Sequence, residues 1–220
     1  MTKSKDFIFK EVDEKLVFIG DFEGYYQDTE DPWDQSATAN MSDYYLASRE
    51  RLVSHLNQLP LAIKIAEIGC GLGYVTAFLA KSITNSQLEG FDISVTAVQK
   101  ARQRFPNLKF TQADITAVDF RDNHEPQQFD VVILNQVLWY ILDSLPQVLL
   151  NMKHILRSDG YLLISNAFAR EQRYGAQVID HFDGAAKYFR QQEHFTLLRA
   201  SFYNDHYEHD DGHFLLQVNN

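Results

Sequence analysis

"AEIGCGLGYVTAFLAK", residues 66–81, is the stretch whose reading decides the fold. Its apolar opening runs into Gly69, Gly71 and Gly73, and Val75, Phe78 and Leu79 then recur at helical spacing. That order predicts a strand, a tight turn and a helix. The bare backbone of such a turn lets a ligand lie close, and the N–H groups that open the helix face it. A dinucleotide turn reads G-x-G-x-x-G, whereas here the third glycine comes one residue early and Tyr74 follows it. A pyrophosphate is therefore not the expected occupant.

Outward from this turn, short apolar runs alternate with longer segments of helical period from about Ile63 onward. This is the pattern of a parallel sheet with covering helices. The expected strands are "IKIAEI", "QLEGFDI", "LKFTQA", "FDVVILN" and "YLLISN"; the expected helices span Tyr74 to Lys81, Val95 to Phe105 behind a Ser94 cap, and Leu145 to Leu156 with Pro146 in its first turn. After Asn166 a helical piece over Tyr174 to Arg190 leads to "FTLLRASFY" and "HFLLQV", read as a closing antiparallel hairpin whose turn contains Asp211-Gly212. The fold class is α/β, a doubly wound, mostly parallel sheet closed by that hairpin. Residues 1–60 read as a loose, aromatic-rich lid segment plus a helix from Ser42 to Leu59, and residues 61–220 as the sheet domain.

Composition narrows the function classes. A 220-residue chain with 45% hydrophobic residues buries one sizeable core. The only cysteine is Cys70, so no intramolecular disulfide forms. No leader is evident after the opening lysines, and no apolar run reaches the roughly 18 residues of a membrane span. A cytoplasmic protein with no membrane partner is expected. The net charge of -10 disfavours a broad nucleic-acid surface.

Two acidic positions complete the glycine turn. Asp92 ends the strand after it, where one carboxylate can accept both hydroxyls of a ribose; alternatively it caps the helix that starts near Ser94. Asp114 ends the next strand, where a side-chain or backbone group can read an adenine edge.

In this register "EIGCGLG", "FDIS", "QADIT", "FDVVILNQVLWYI" and "ILRSDGYLLIS" resemble the successive motifs of the class I S-adenosylmethionine-dependent methyltransferases over Ile63 to Asn166. The resemblance implies a Rossmann-like sheet of seven strands with the last one antiparallel, S-adenosyl-L-methionine as cofactor and S-adenosyl-L-homocysteine as product. It places Glu67, Gly69, Cys70, Gly71 and Gly73 around the methionine part, Asp92 with Ile93 at the ribose, Asp114 with Ile115 at the adenine, and Asn135 under the methyl group. "DPW", "YYLASRER", "QVLWYILD" and "DDGHFLLQV" are further similar to the nodulation-type (NodS-like) N-methyltransferases, which methylate the free amine of a chitooligosaccharide. That likeness brings Trp33, Tyr45 and Arg49 to the cofactor and implies a small-molecule acceptor such as an amino sugar. The chain departs from the pattern at Gln136, where an acidic residue is common, and after Asn166.

Methyl transfer needs positioning, exclusion of water and a lone pair on the acceptor, with no metal. An alkyl amine with a pKa of about 10 must lose a proton first. Asn135, Tyr140 and His181 are the candidate catalytic residues. Each has a plain alternative: a strand-end cap for Asn135, a wall aromatic for Tyr140, a solvated helix residue for His181. "HYEHDDGH", residues 206–213, is rich in ligand types but matches no zinc spacing and reads as a polar turn bordering the acceptor pocket. The residues leave two other readings open, a non-catalytic S-adenosylmethionine-binding protein and a methyltransferase acting on a macromolecule.

Overall fold

The computed structural model describes residues 7–36, 42–60, 64–204 and 209–219. Its sheet holds β3 (Lys64–Ile68), β4 (Gln87–Asp92), β5 (Lys109–Gln112), β6 (Phe129–Asn135), β7 (Leu156–Ala169), β8 (Phe195–Tyr203) and β9 (His209–Val218) in the order β5-β4-β3-β6-β7-β9-β8. Strands β3 to β7 pair in parallel, and β9 runs antiparallel to both β7 and β8. Order reverses between β4 and β6 on either side of β3, which opens the crevice where such sheets bind ligands.

Helices cover both faces. On one lie α2 (Ser42–Leu56), α3 (Tyr74–Ser82) and α4 (Val95–Arg104), with Leu52, Leu56, Val75 and Leu79 against Ile65, Ile133, Leu163 and Leu215. On the other lie α5 (Phe120–Asn123), α6 (Leu145–Ile155) and α7 (His181–Arg190), with Leu149, Met152 and Phe189 against Leu134, Leu162, Ile164 and Phe214. Alternation along the strands sorts these two sets. On the α2 face the apolar series stops abruptly: beyond Ile133, Leu163 and Leu215, the next residues on that face are Asn135, Ser165 and His213, which stand in register across β6, β7 and β9.

The beginning of the chain is more structured than expected. A hairpin of β1 (Phe9–Val12) and β2 (Lys15–Phe18) turns at Asp13 and Glu14, both at positive φ, as a two-residue hairpin turn of the primed kind requires. Helix α1 (Phe22–Asp28) follows, capped by the Asp21 carboxylate on Gly24 N. Two other expectations are corrected. Asp211-Gly212 lies inside β9, paired with Tyr203 and Phe202, because the Asp211 side chain is buried against partners; the connection itself, residues 205–208 with His206, lies outside the described residues. The helix read from Tyr174 begins at His181, because Gly175 at φ 77 and His181 at φ 54 break the chain ahead of it.

Candidate functional site

At the carboxyl ends of β3, β4, β5 and β6 a cavity of about 540 Å³ opens, a size suited to a cofactor-sized ligand. Its floor is the glycine turn. Gly69 (φ 74) and Gly71 (φ 51) both line it. A Cβ on Gly69 would strike the side chain of Val137, and one on Gly71 would stand 2.5 Å from Tyr26 Oη, so no larger residue fits at either place. Gly73 (φ 80) is the residue before α3 and faces Phe110 and Phe105 instead of the cavity.

Asp92 carries the charge of this wall. Its Oδ2 accepts from Gly71 N at 2.8 Å and its Oδ1 from Ser94 N at 2.9 Å, which leaves acceptor capacity on each oxygen. Burial pushes its carboxyl up to about 6, and the two N–H bonds limit the rise. The cap of α4 is Ser94, whose hydroxyl accepts from Ala97 N; Asp92 holds the loop just before it and faces the cavity. Asp114 turns one oxygen onto Thr116 N and Oγ1 and lines the cavity with Ile93, Ile115 and Thr116.

Glu67 and Cys70 stand behind this floor and do not form it. Cys70 packs with Val98, Ala101 and Phe110. Glu67 is 1% exposed, accepts from the Thr76 hydroxyl, and is driven up to about 7 by burial, with Thr76, Asn135 and Arg49 acting the other way. Asn135 does reach the cavity, and its Oδ1 is buried with no hydrogen-bond partner among the described residues. A buried acceptor in that state is costly unless something donates to it. Free acceptor capacity on Asp92, the Gly71 cradle and this unpartnered oxygen together fit a ligand with ribose hydroxyls and a polar tail, the donor set of S-adenosylmethionine.

The opposite wall is aromatic and comes from elsewhere in the chain. Phe18, Phe22, Tyr26, Trp33, Tyr44 and Tyr45 reach it from the first sixty residues. Trp33 Nε1 donates to Tyr26 Oη at 3.0 Å, and the Tyr140 ring meets those of Phe18, Phe22 and Trp33 with centroids 5.3–6.0 Å apart. Tyr140 is thus a hub of packing; burial raises its phenol well above the ordinary range. Arg49 sits behind Tyr45, donating to Gln35 O at 3.0 Å, and does not line the cavity. His181 stands apart from it: half exposed at the start of α7, its ring bonds Asp180 at 2.6 Å, and that partner raises its pKa. His181 therefore stands outside the cavity, where the sequence places a candidate catalytic residue, because Asp180 and the start of α7 hold its ring at the surface.

Sequence reasoning missed Tyr26 and Tyr44 on the cavity wall; Gln136 stood out only as a departure from the family pattern, and His209 lies in the stretch expected to border the acceptor pocket. A signal existed for the first two in the aromatic density of "GYY" and "DYY". Charge is one-sided: Asp92, Asp114 and Asp143 line the cavity, and no lysine or arginine does among the described residues. No group of three or more metal-ligating side chains gathers among those residues, and no helix there is long and apolar enough to cross a membrane.

A seven-stranded sheet with an antiparallel β9, a glycine turn at its switch point and carboxylates on the next two strands defines the class I S-adenosylmethionine-dependent methyltransferase fold. The chain belongs to the family described as "Methyltransferase domain", which matches residues 62–203. It is 36% identical over 106 residues to malonyl-[acyl-carrier protein] O-methyltransferase of Bacillus anthracis, covering 47% of this chain and 37% of that protein. It is 24% identical over 178 residues to (S)-coclaurine N-methyltransferase of Papaver somniferum, covering 81% of this chain and 48% of the other. The matched stretch thus spans less than half the length of either relative. Among solved structures, N-methyltransferase NodS from Bradyrhizobium japonicum WM9 in complex with S-adenosyl-L-homocysteine superimposes with a TM-score of 0.66 at 15% identity, over 90% of this chain and 98% of that one.

Proposed function

We propose that the chain transfers a methyl group from S-adenosylmethionine to an amine or hydroxyl of a small, neutral or cationic acceptor, with a sugar-like ring as the favoured class. The observation that carries this reading is the composition of the cavity wall: three aspartates, a run of aromatic rings and no lining lysine or arginine among the described residues. A carboxylate acceptor would find no lining lysine or arginine as a counter-ion among the described residues, whereas a protonated amine or a ring of C–H groups suits aromatic faces. Malonyl-[acyl-carrier protein] and trans-aconitate, named for two relatives, are therefore the less favoured acceptor type here.

When bound, S-adenosylmethionine supplies a methyl carbon on a sulfonium, open to in-line attack. The chain's own residues do the rest. Asp92 accepts the ribose hydroxyls, the Gly69–Gly71 backbone admits the polar tail, and Asn135 Oδ1 accepts an N–H or O–H of the acceptor and so aims its lone pair. Trp33, Tyr45 and the aromatic wall around Tyr140 form a lid that excludes water, with Arg49 bracing it from behind.

Calorimetry with S-adenosylhomocysteine and with NAD tests the cofactor, expected in the micromolar range, on the order of 8 kcal/mol, for the first and undetectable for the second. Release of demethylated cofactor across a panel of amino sugars, neutral sugars and carboxylic acids tests the acceptor. Turnover confined to the acids would reject the acceptor class and leave the methyltransferase reading in place.

A further inference from the structure

A buried polar seam between α2 and β9 has no part in the reading above. Tyr44, Ser48, Arg51 and His55 recur along one stripe of α2, and His209, Asp211 and His213 alternate on the facing side of β9. Asp211 Oδ2 accepts from Arg51 Nη1 at 3.1 Å and lies 2.9 Å from His213 Nε2, both Asp211 and His213 being fully buried. The rings of His55 and His213 are 5.0 Å apart, and Tyr203 Oη lies 3.3 Å from His55 Nε2. Ser48 Oγ, His55 Nδ1, Asp211 Oδ1 and His213 Nδ1 are buried with no hydrogen-bond partner among the described residues. A seam of this kind costs stability compared with an apolar one.

Its residue types invite a hydrolytic reading, which the geometry rejects. Ser165 Oγ lies 3.3 Å from His213 Nε2, the same ring nitrogen that meets Asp211. An imidazole relay needs one nitrogen for each partner. None of these three residues lines the cavity. The seam opens to the cavity only at its other end, where His209 and Tyr44 line the wall with ring centroids 6.3 Å apart. Gln136 Nε2 donates to Tyr44 Oη at 3.3 Å, and Gln136 follows Asn135, whose unpartnered Oδ1 reaches the same space.

Resting on the methyltransferase reading, we propose that His209, beside Tyr44 on the cavity wall, is the acceptor-side general base. His209 is the only histidine among the described residues that line the cavity. Tyr44 of α2 faces it; Arg51 and His55 lie further along that helix, Asp211 and His213 further along its own strand, and Asp210, the next residue of β9, lies 3.9 Å from Arg170. Burial and the neighbouring His213 push His55 down to about 4, so it stays neutral at ordinary pH. In the step, an acceptor ammonium gives one proton to the His209 imidazole and becomes a free amine. The nitrogen lone pair then forms the bond to the methyl carbon while the carbon–sulfur bond breaks and its electron pair stays on sulfur. The methylated ammonium leaves with the product, and the imidazolium returns its proton to water at the cavity mouth.

The test uses the full chain with S-adenosylhomocysteine bound and follows the His209 ring by NMR against pH, assigned with His209→Gln. Glucosamine and phenethylamine are the amine probes, and N-acetylglucosamine, which lacks a basic nitrogen, is the control. The His209 titration midpoint is expected to move with at least one amine and stay fixed with the amide. His209→Gln should keep S-adenosylhomocysteine affinity within about twofold while kcat on the acceptor turned over best in the panel falls about 10²-fold and the acid limb of its pH–rate profile disappears. Should His209→Gln fold poorly, His209→Asn carries the same expectations. A His209 midpoint indifferent to both amines, or a glutamine variant that keeps the acid limb, overturns the proposal. Absence of S-adenosylhomocysteine binding to the wild type would instead overturn the methyltransferase reading beneath it.

Discussion

Two carboxylates on opposite sides of the cavity shift in opposite directions. Glu67, behind the glycine turn, is fully enclosed and driven up to about 7 by burial. Glu23, on α1 of the aromatic wall, is also raised by desolvation, but Ser94 Oγ at 2.6 Å and Thr96 N at 3.1 Å outweigh that and hold it at about 2. The first is a group the sheet carries at a cost. The second is a clamp, an anion seated on the N-terminus of α4 one turn from Asp92. The sheet half of the site is fixed by backbone register, whereas α1, in the half built by the first sixty residues, is held to α4 by charge-assisted bonds that solution conditions can release.

The largest expected effect tests the sheet half. Asp92→Ala should weaken S-adenosylhomocysteine binding by about 2–4 kcal/mol, because two ribose hydroxyls lose a charged acceptor. Stability without ligand should change little, since relief of a buried charge offsets the lost bonds to Gly71 and Ser94. Calorimetry paired with thermal unfolding decides it; a variant that unfolds while its folded fraction binds normally makes Asp92 a purely structural residue.

Next comes Glu67. Its pKa is higher folded than the 4.5 of the free carboxyl, so the stability it contributes is present below about 4.5 and is lost as pH rises through about 7. Glu67→Gln should therefore flatten the pH dependence across that window and gain about 2–3 kcal/mol at pH 8 in urea unfolding. Equal stability of variant and wild type at pH 8 would mean that Thr76 and Asn135 already compensate the charge.

The smallest effect belongs to the clamp. Glu23 has a lowered pKa, so its contribution is complete above about 4.5 and is lost as pH falls through about 2. Glu23→Gln should loosen the first sixty residues by about 1–2 kcal/mol, allowing for solvent screening at a partly exposed site. Limited proteolysis ahead of Pro60 reads this directly. Cutting should be faster in the variant near neutral pH and slower in either protein once S-adenosylhomocysteine is added; cutting indifferent to both would remove the lid.

The same division sets what the sequence reveals. The five parallel strands, Asp92 and Asp114 were legible because strand ends and turn glycines obey local rules that a single chain segment satisfies. The β1–β2 hairpin was not, since "FKEV" and "KLVF" are only four residues each and their turn is Asp-Glu, without the usual glycine. Asp211-Gly212 read as a turn because that dipeptide is normally exposed; pairing with β7 and β8 and the bond from Arg51, 160 positions away, make a buried strand of it. His181 and His209 were indistinguishable by type, and a choice between them depends on which end of β9 meets α2. Glu67 and Cys70 show the converse limit, for motif residues can sit behind a site as well as in it.

The boundaries of the family match have a consequence for how such a protein diversifies. Residues 62–203 contain the whole glycine turn and both acidic strand ends, yet they exclude Phe18, Tyr26, Trp33 and Tyr44 on one side and His209 on the other. The shared module therefore ends inside the wall of its own cavity. The segments that complete that wall before residue 62 form no hydrogen bonds of the seven-stranded sheet, so their side chains can be exchanged, lengthened or shortened without disturbing its register. The boundary at residue 203 is of another kind: a domain cut there would lose β9 from between β7 and β8, so variation on that side is confined to side chains of a strand that the sheet requires.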